Sequence, residues 1–267
     1  MKKIFTNDNN AAYAIEVKEL DKSFKLSSKQ QKIEKTKRKT VHAVDGLSFS
    51  VSKGEIYGLL GSNGAGKTTT LRMLATLIKP DGGDALIDGE SIRTAPAKVR
   101  GKIGFLTSEL KLEEYFSVDY LFDFFAKLHG MNDEEIKKRK AKLFDSFAIN
   151  DFAHVKVGNL STGMKQKASL AVSLAHDPDI IIFDEPTNGL DVLTAKVVTD
   201  FLFLLKKEGK TVILSTHIFS LAERLCDRVG VIMNGRMIAD GKLSELCADM
   251  SLEEKFFSLY EKEGYEK

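Results

Sequence analysis

Apolar positions along the chain follow two periods, which together predict an α/β fold. Unbroken apolar runs at residues 180–183 and 212–214 are typical of strands that are buried on both faces of a parallel sheet. Apolar residues recur with helical spacing over 192–205, between these two runs. Residues 55–60 form a further buried-strand pattern, and residues 117–173 are largely helical in pattern. A βα core that is interrupted by a helical segment is therefore predicted.

Strand signals near the N-terminal end predict a small antiparallel β lobe. Residues 14–17 and 41–51 have strand patterns. An Asp-Gly pair at 88–89 and an Asn-Gly pair at 234–235 each indicate a hairpin turn. The predicted boundaries are 14–240 for the main domain, 14–52 and 83–100 for its β lobe, 108–175 for its helical subdomain, and 241–267 for a short C-terminal helical extension.

Composition narrows the functional classes. The 267 residues include 40 basic and 38 acidic side chains, and this balance argues against a dedicated nucleic-acid binder. No apolar run approaches the roughly 20 residues that a membrane-spanning helix needs, and residues 1–10 lack the apolar core of a signal peptide. Any role at a membrane is therefore expected to pass through a partner. Cys226 and Cys247 are not spaced as metal ligands, and we interpret them as reduced core thiols.

A basic stretch over residues 27–42 contains six lysines and arginines against one glutamate. Its position between two strand patterns predicts the tip of a long hairpin. It is either a solvated loop or a segment attracted to anionic lipid headgroups, to which each basic residue near the surface would contribute about 1 kcal/mol.

A glycine-rich segment between the strand pattern at 55–60 and a helix predicted over 68–78 matches the phosphate-binding pattern G-x-x-x-x-G-K-[ST]. Glycines let backbone N–H groups converge on phosphate oxygens, and the helix N-terminus adds partial positive charge. Lys67 is expected to reach the β- and γ-phosphates of ATP, and the Thr68 hydroxyl to ligate Mg²⁺. The segment therefore predicts a P-loop NTPase (RecA-like) core. Its nucleotide-binding residues are predicted to be Gly61, Ser62, Asn63, Gly64, Ala65, Gly66, Lys67, Thr68 and Thr69.

Two carboxylates, Asp184 and Glu185, end the apolar run at 180–183. A strand end beside a phosphate loop is where a second oxygen ligand for Mg²⁺ belongs, and we assign that role to Asp184. Glu185 is predicted to be catalytic, because a carboxylate one residue further on can orient or deprotonate the attacking water.

Three further segments resemble a known family. Residues 160–166, LSTGMKQ, resemble the LSGGQ signature of ABC ATPases. Residues 186–191, PTNGLD, resemble the D-loop of that family, and residues 215–217, STH, resemble its switch histidine. Together with the phosphate loop and the acidic pair, these ordered motifs identify the chain as similar to ABC ATPases over most of its length.

This resemblance implies a head-to-tail dimer, most simply of two identical subunits, with two ATP molecules at the interface. Each ATP would lie between the phosphate loop of one subunit and Ser161 and Gly163 of the other. His217 would contact the γ-phosphate and help to hold the attacking water, and Asp191 would lie at the dimer interface beside the nucleotide. A separate multispanning permease is the implied partner, which would hold the subunit peripherally at the cytoplasmic face of the cell membrane.

The chain departs from the family pattern at two places. In the signature, Thr162 replaces a glycine and Met164 replaces a glutamine, whereas Ser161 and Gly163 are kept. Hydrolysis is therefore expected to survive. Ser108 occupies the position of the Q-loop glutamine that would reach Mg²⁺, and its side chain is shorter. Water bridging, or participation of the neighbouring residues 107 and 109, would have to replace that contact.

Aromatic residues raise two further hypotheses. Phe24 is the best-placed residue to stack on adenine, although it could instead be core of the β lobe. Seven large apolar side chains crowd residues 115–125. They either belong to a helix that is buried on several sides or line a groove for a cytoplasmic helix of the permease.

The chain also resembles the ATPase subunits of two-component exporters, of the sodium-extruding type and the drug-resistance type, at residues 43–46, 107–108, 127–130 and 160–167. The function predicted for the chain is therefore ATP hydrolysis that drives export, with Na⁺ or a drug as the cargo. A non-transport ABC ATPase of DNA repair or translation is the first alternative. A P-loop kinase or GTPase is the second, although the chain lacks an NKxD guanine-recognition motif.

Overall fold

The computed structural model describes residues 13–33, 37–107 and 112–263. Its central feature is a six-stranded sheet with the strand order β10-β9-β3-β8-β7-β6. Neighbouring strands are parallel from β9 to β6, and β10 pairs with β9 as an antiparallel hairpin. The strands are β3 (Ile56–Leu60), β6 (Ile103–Thr107), β7 (Ile180–Asp184), β8 (Thr211–Thr216), β9 (Arg228–Met233) and β10 (Arg236–Lys242).

A second, antiparallel sheet forms the β lobe. Its order is β2-β1-β4-β5, and β1 pairs with both β2 and β4 through several register irregularities. These strands are β1 (Tyr13–Lys25), β2 (Thr40–Ser52), β4 (Gly82–Ile87) and β5 (Glu90–Ser91).

Ten helices accompany the two sheets within the described residues. The longest, α7, joins β7 to β8 and completes a parallel crossover. Two single turns of 3₁₀ helix, Asn150–Phe152 and Val157–Asn159, lie between α5 and α6. The helices are α1 (Ser28–Ile33), α2 (Lys67–Leu74), α3 (Pro96–Lys102), α4 (Val118–Leu128), α5 (Asp133–Ser146), α6 (Thr162–Ser173), α7 (Val192–Lys207), α8 (Phe219–Leu225), α9 (Leu243–Leu246) and α10 (Leu252–Lys262).

The apolar core has two parts, one on each face of the six-stranded sheet. Alternating residues of β3 illustrate the division, because Ile56 and Leu60 face one part while Tyr57 and Leu59 face the other. The first part includes the helical segment, and the second includes the β lobe. The predicted α/β fold, with its inserted helical subdomain and small antiparallel lobe, is thereby confirmed.

The predicted C-terminal end of the helix after the phosphate loop was wrong. The helix predicted over 68–78 is α2, which ends at Leu74 because Thr76 adopts a left-handed backbone with φ of 61°. The N–H groups of Leu77 and Ile78 both donate to the carbonyl of Arg72 and thus close the helix C-terminus. Leu77 consequently lies outside the apolar face of the helix and is 58% exposed.

The structure also revises the strand and the basic stretch at the start of the chain. The strand predicted over 14–17 extends to Lys25, because pairing with both β2 and β4 continues through its polar half. The predicted hairpin tip contains the short helix α1. Residues 34–36 of this stretch lie outside the described residues.

Candidate nucleotide-binding and hydrolysis site

The site lies where the carboxyl ends of four parallel strands meet at one edge of the six-stranded sheet. β3 runs into the phosphate loop, and β7 ends at Asp184. β8 ends at Thr216, immediately before His217, while Thr107 ends β6 opposite Asp184. Parallel strands that lie side by side therefore bring together motifs that are more than 100 residues apart in the chain.

The phosphate loop is held in shape by close backbone contacts at two of its glycines. Gly66 has φ of 107° and precedes the first turn of α2, and a Cβ there would overlap the carbonyl oxygen of Ala43. A Cβ on Gly61 would overlap the carbonyl oxygen of Ile232. Glycine is thus required at both positions, and the loop leads directly into the N-terminus of α2, where its backbone N–H groups can face an anion.

Lys67 lies within this loop and is only 5% exposed. Its ammonium donates hydrogen bonds to the carbonyl oxygens of Gly61 at 2.8 Å and Ser62 at 3.2 Å, and lies 3.3 Å from Glu185 Oε1. A buried positive charge needs such partners. Phosphate oxygens that entered the loop would meet an ammonium that is already desolvated and directed inward.

Asp184 is 5% exposed and accepts two hydroxyl hydrogen bonds at the same oxygen, Oδ1. Thr68 Oγ1 donates over 3.0 Å and Ser215 Oγ over 2.7 Å. A carboxylate beside a threonine hydroxyl supplies the hard oxygen donors that Mg²⁺ prefers, and the nucleotide phosphates would supply others. Thr68 and Asp184 therefore fit the metal site predicted from the sequence.

Glu185 is held at both oxygens. Oε1 faces the Lys67 ammonium, and Oε2 accepts a hydrogen bond from His217 Nδ1 over 2.9 Å. Since a carboxylate only accepts, Nδ1 must carry the proton of that imidazole. In the neutral ring, Nε2 is then left as an acceptor. The predicted catalytic pair Glu185 and His217 is thus in direct contact.

A cavity of about 390 Å³ joins most of the predicted nucleotide ligands. Phe24, which is 39% exposed, lines it together with the phosphate loop, Asp184 and Glu185. The alternative that Phe24 is buried core of the β lobe is therefore wrong. The loop residues that line this cavity are Ser62, Asn63, Gly64, Ala65, Gly66, Lys67, Thr68 and Thr69.

The signature segment lies at the N-terminus of α6, where Thr162 lines a second cavity that reaches Asp184. Ser161 caps α6 and accepts a hydrogen bond from the N–H of Met164 over 3.3 Å. Gly163 packs beside α7, since a Cβ there would lie 3.0 Å from Thr194 Oγ1 and 3.6 Å from Asp191 Oδ2. Among the described residues that line the 390 Å³ cavity, none comes from this segment.

Asp191 caps the N-terminus of α7 in the same chain. Its carboxylate accepts hydrogen bonds from the N–H groups of Leu193 and Thr194 and from the Thr194 hydroxyl. These bonds, that of the hydroxyl first, lower the pKa of Asp191 below its ordinary value. The D-loop carboxylate is therefore ionised and already engaged in capping the helix.

Ser108, which occupies the Q-loop position of the family pattern, lies outside the described residues. The residue before it, Thr107, lines the 390 Å³ cavity.

Aromatic side chains of α4 and the preceding turn form an exposed groove, here called the aromatic groove, with a volume of about 480 Å³. Tyr120 is 50% and Phe124 is 49% exposed, so the alternative of a helix buried on several sides is wrong. The imidazoles of His129 and His176 stack at one end, with ring centroids 3.9 Å apart. Its described lining residues are Leu112, Glu113, Phe116, Tyr120, Leu121, Phe124, Phe125, His129, Val172, Ser173 and His176.

Comparison with known proteins identifies the family. The profile described as ABC transporter matches residues 44–188, more than half of the chain. The chain belongs to the ABC transporter family. Its relatives include the ABC transporter ATP-binding protein NatA of Bacillus subtilis, which is 42% identical over 211 residues, 79% of this chain and 86% of that protein. The linearmycin resistance ATP-binding protein LnrL of the same organism is 37% identical over 211 residues, 79% of this chain and 67% of that protein.

Solved structures support the same assignment. The ATP-binding subunit of an ABC transporter superposes with a TM-score of 0.79 at 28% identity, covering 92% of this chain and 99% of that one. A dimeric ATP-binding cassette in a post-hydrolysis state, bound to ADP and Pi, matches with a TM-score of 0.74 at 25% identity, covering 85% of this chain and 98% of that one. This ABC protein is an ATP-binding subunit and an ATPase. None of its helices in the described part of the chain has the length and apolarity to cross a membrane.

Proposed function

We propose that this ABC protein hydrolyses ATP as a head-to-tail dimer and thereby drives an exporter through a separate membrane permease. The separation of its phosphate loop from its signature carries this proposal. Lys67, Asp184 and Glu185 face one cavity, whereas Ser161 begins α6 elsewhere and does not line it. A second copy in head-to-tail orientation would bring its own Ser161 and Gly163 to the γ-phosphate, with the N-terminus of α6 favouring the negative charge.

In the proposed reaction, Lys67 and the loop N–H groups bind the β- and γ-phosphates, while Phe24 stacks on the adenine. Thr68 and Asp184 hold Mg²⁺, which when bound neutralises charge on the β- and γ-phosphates. Glu185 Oε2 receives the proton of the attacking water as general base. His217 donates Nδ1–H to that carboxylate and so orients it.

The aromatic groove supports docking of a permease. Large half-exposed side chains on one helix face are typical of surfaces that receive an amphipathic partner helix. The subunit would then be held at the cytoplasmic face of the membrane through its permease.

The name of one relative supports export, since it is the Nod factor export ATP-binding protein I of Ralstonia nicotianae, 42% identical over 203 residues, 76% of this chain and 63% of that protein. The linearmycin resistance ATP-binding protein supports a drug as the cargo. Na⁺ or a drug as cargo stays a prediction. The described residues of this chain hold no cluster of three or more acidic, histidine or cysteine side chains that could bind a metal ion.

Replacement of the proposed base tests this function. Glu185→Gln should slow hydrolysis about 100-fold or more, because a proposed general base is lost. ATP binding should persist, so the variant should accumulate as an ATP-bound dimer in size-exclusion chromatography. Glu90→Gln, a change at an exposed salt bridge on β5, is the control and should behave as wild type. Unchanged turnover in Glu185→Gln would refute the assigned base.

Purification from membranes separates the proposal from the alternative of a non-transport ABC ATPase. The exporter subunit should co-purify with a multispanning membrane protein, whereas the alternative predicts recovery with ribosomes or DNA.

A further inference from the structure

Ser215 lies at the centre of the hydrolysis site, although it is not among the residues predicted to bind the nucleotide or Mg²⁺. It is the fifth residue of β8 and pairs in register with Asp184 of β7. Its side chain is fully buried, with 0% exposure. Asp184 and Glu185, at the end of the neighbouring strand β7, are the residues that the proposed function assigns to Mg²⁺ and to the attacking water.

The Ser215 hydroxyl bridges these two residues. Its Oγ donates to Asp184 Oδ1 over 2.7 Å and accepts the backbone N–H of Glu185 over 3.0 Å. In the first of these bonds the Ser215 hydroxyl is the donor, because an ionised carboxylate can only accept. Asp184 Oδ1 also accepts a hydrogen bond from the Thr68 hydroxyl. One buried hydroxyl therefore donates a hydrogen bond to the Asp184 carboxylate and accepts one from the backbone N–H of Glu185.

The backbone of Glu185 needs such support. Its φ is 51°, in the left-handed region that side chains other than glycine adopt only when their surroundings hold them there. The Glu185 N–H is shared between the Ser215 carbonyl oxygen at 3.2 Å and the Ser215 hydroxyl at 3.0 Å. Both acceptors belong to one residue, so Ser215 determines the direction in which Glu185 leaves β7.

The neighbouring residue extends this arrangement to the histidine. Thr216 is buried, and its Oγ1 accepts the N–H of Ile218 over 3.0 Å, which turns the chain around His217. The end of β8 thus orients Asp184, Glu185 and His217 from one short segment.

We propose that Ser215 is a positioning residue for hydrolysis, which couples the orientation of the Mg²⁺-binding carboxylate of Asp184 to that of the general base Glu185. This proposal rests on the proposed roles of those two carboxylates. A serine with a purely structural role would affect folding stability alone. A positioning serine changes the Mg²⁺ dependence of nucleotide binding and the turnover number, and leaves metal-free nucleotide binding unchanged.

Ser215→Ala in the full-length protein tests the proposal with two measurements. The first is calorimetric affinity for the non-hydrolysable analogue AMP-PNP, with Mg²⁺ and then with EDTA. The gain in affinity due to Mg²⁺ should fall about tenfold, the usual effect of losing a hydrogen-bond partner of a metal ligand, while affinity in EDTA stays within about twofold. The second is ATPase kinetics, where kcat should fall by about tenfold to 100-fold.

Two further variants complete the test. Ser215→Thr keeps the hydroxyl and should restore both readouts. Thr199→Val removes another buried hydroxyl, which donates to the carbonyl oxygen of Ala195 within α7, and should leave both unchanged. If Ser215→Ala does not fold, Ser215→Cys, close in size and with a weak S–H donor, takes its place and should show the same losses.

The outcomes separate this inference from the proposed function. An Mg²⁺ dependence and kcat equal to wild type in Ser215→Ala would overturn the positioning role. Equal losses of affinity with Mg²⁺ and with EDTA would also overturn it, since they indicate a structural role. Failure of Glu185→Gln to slow wild-type hydrolysis would instead remove the assigned base, whatever Ser215 does.

Discussion

At the scale of single residues, the site depends on charges that are buried and fully partnered. Lys67 is the clearest case, because its ammonium is 5% exposed and is directed by two carbonyl oxygens and Glu185. Such pre-orientation removes much of the cost of ordering a long side chain when phosphate binds. Lys67 also balances the charge of Glu185. In the proposed function, one side chain thus both binds the nucleotide and orients the general base.

Lys67→Ala should weaken ATP binding about 100-fold or more, because each charge-assisted hydrogen bond to phosphate contributes about 1.5–3 kcal/mol. Equilibrium binding of ATP measures the effect, and circular dichroism checks that the variant is folded. Lys53→Ala is the matched control, since Lys53 is 57% exposed and pairs only at the surface with Asp88. Wild-type affinity in Lys67→Ala would exclude this lysine as a phosphate ligand.

At the scale of elements, the aromatic groove joins α4 to the end of α6. His129 follows α4, and its imidazole stacks on that of His176, which follows α6. His176 also bonds through Nε2 to the carbonyl oxygen of Ile103, the first residue of β6. Burial first, then the neighbouring His129, lowers the pKa of His176 to about 4. The remaining charges around it are Arg139, which acts in the same direction, and Asp177, which opposes it.

This shifted pKa predicts how folding stability depends on pH. The unfolded chain binds a proton at His176 near pH 6.5, whereas the folded protein does so only near pH 4. Because the unfolded state binds more protons between these values, stability is lost as pH falls from about 6.5 to 4, by about 2 kcal/mol from this residue. His176→Gln keeps a donor for the Ile103 carbonyl and should show a smaller loss.

Urea unfolding at pH 7 and pH 4.5 measures that difference. His154→Gln, at an exposed histidine, is the control and should lose stability as wild type does. An identical acid loss in wild type and His176→Gln would show that the stacked pair is not a source of acid sensitivity.

At the scale of the whole molecule, the proposed function divides each ATP site between two chains. The phosphate-loop half lies at the carboxyl edge of the six-stranded sheet, and the signature half lies at the N-terminus of α6 beside α7. A head-to-tail pair of identical chains would form two complete sites, each using one half from each chain.

Mixing two inactive variants tests this arrangement. Lys67→Ala damages the phosphate-loop half, and Ser161→Arg damages the signature half, so each variant alone should be inactive. After subunit exchange, mixed dimers contain one intact site, and about a quarter of wild-type ATPase activity should return if the sites act independently. The double variant Lys67→Ala/Ser161→Arg, mixed with wild type, is the control, because its mixed dimers contain no intact site. Full activity of a monomer, or no recovery on mixing, would contradict the composite site.

The chain by itself determined the elements and the chemistry that depend on local order. The glycine pattern before Lys67 requires a close backbone turn, and unbroken apolar runs are stable only as strands covered on both faces. The helical pattern that begins at residue 117 and the two carboxylates that end the apolar run at 180–183 follow from such local rules. In the structure, Ser117 caps α4 and β7 ends at Asp184.

Tertiary structure decided what depends on register and on close packing. Residues 215–217 indicated a switch histidine, but only the pairing of β7 with β8 places Ser215 opposite Asp184. The ends of α2 and β1 likewise follow from a left-handed Thr76 and from pairing with two neighbours at once. Periodicity describes which face of an element is apolar, whereas register, backbone conformation and the contacts between distant residues are set by packing across the whole fold.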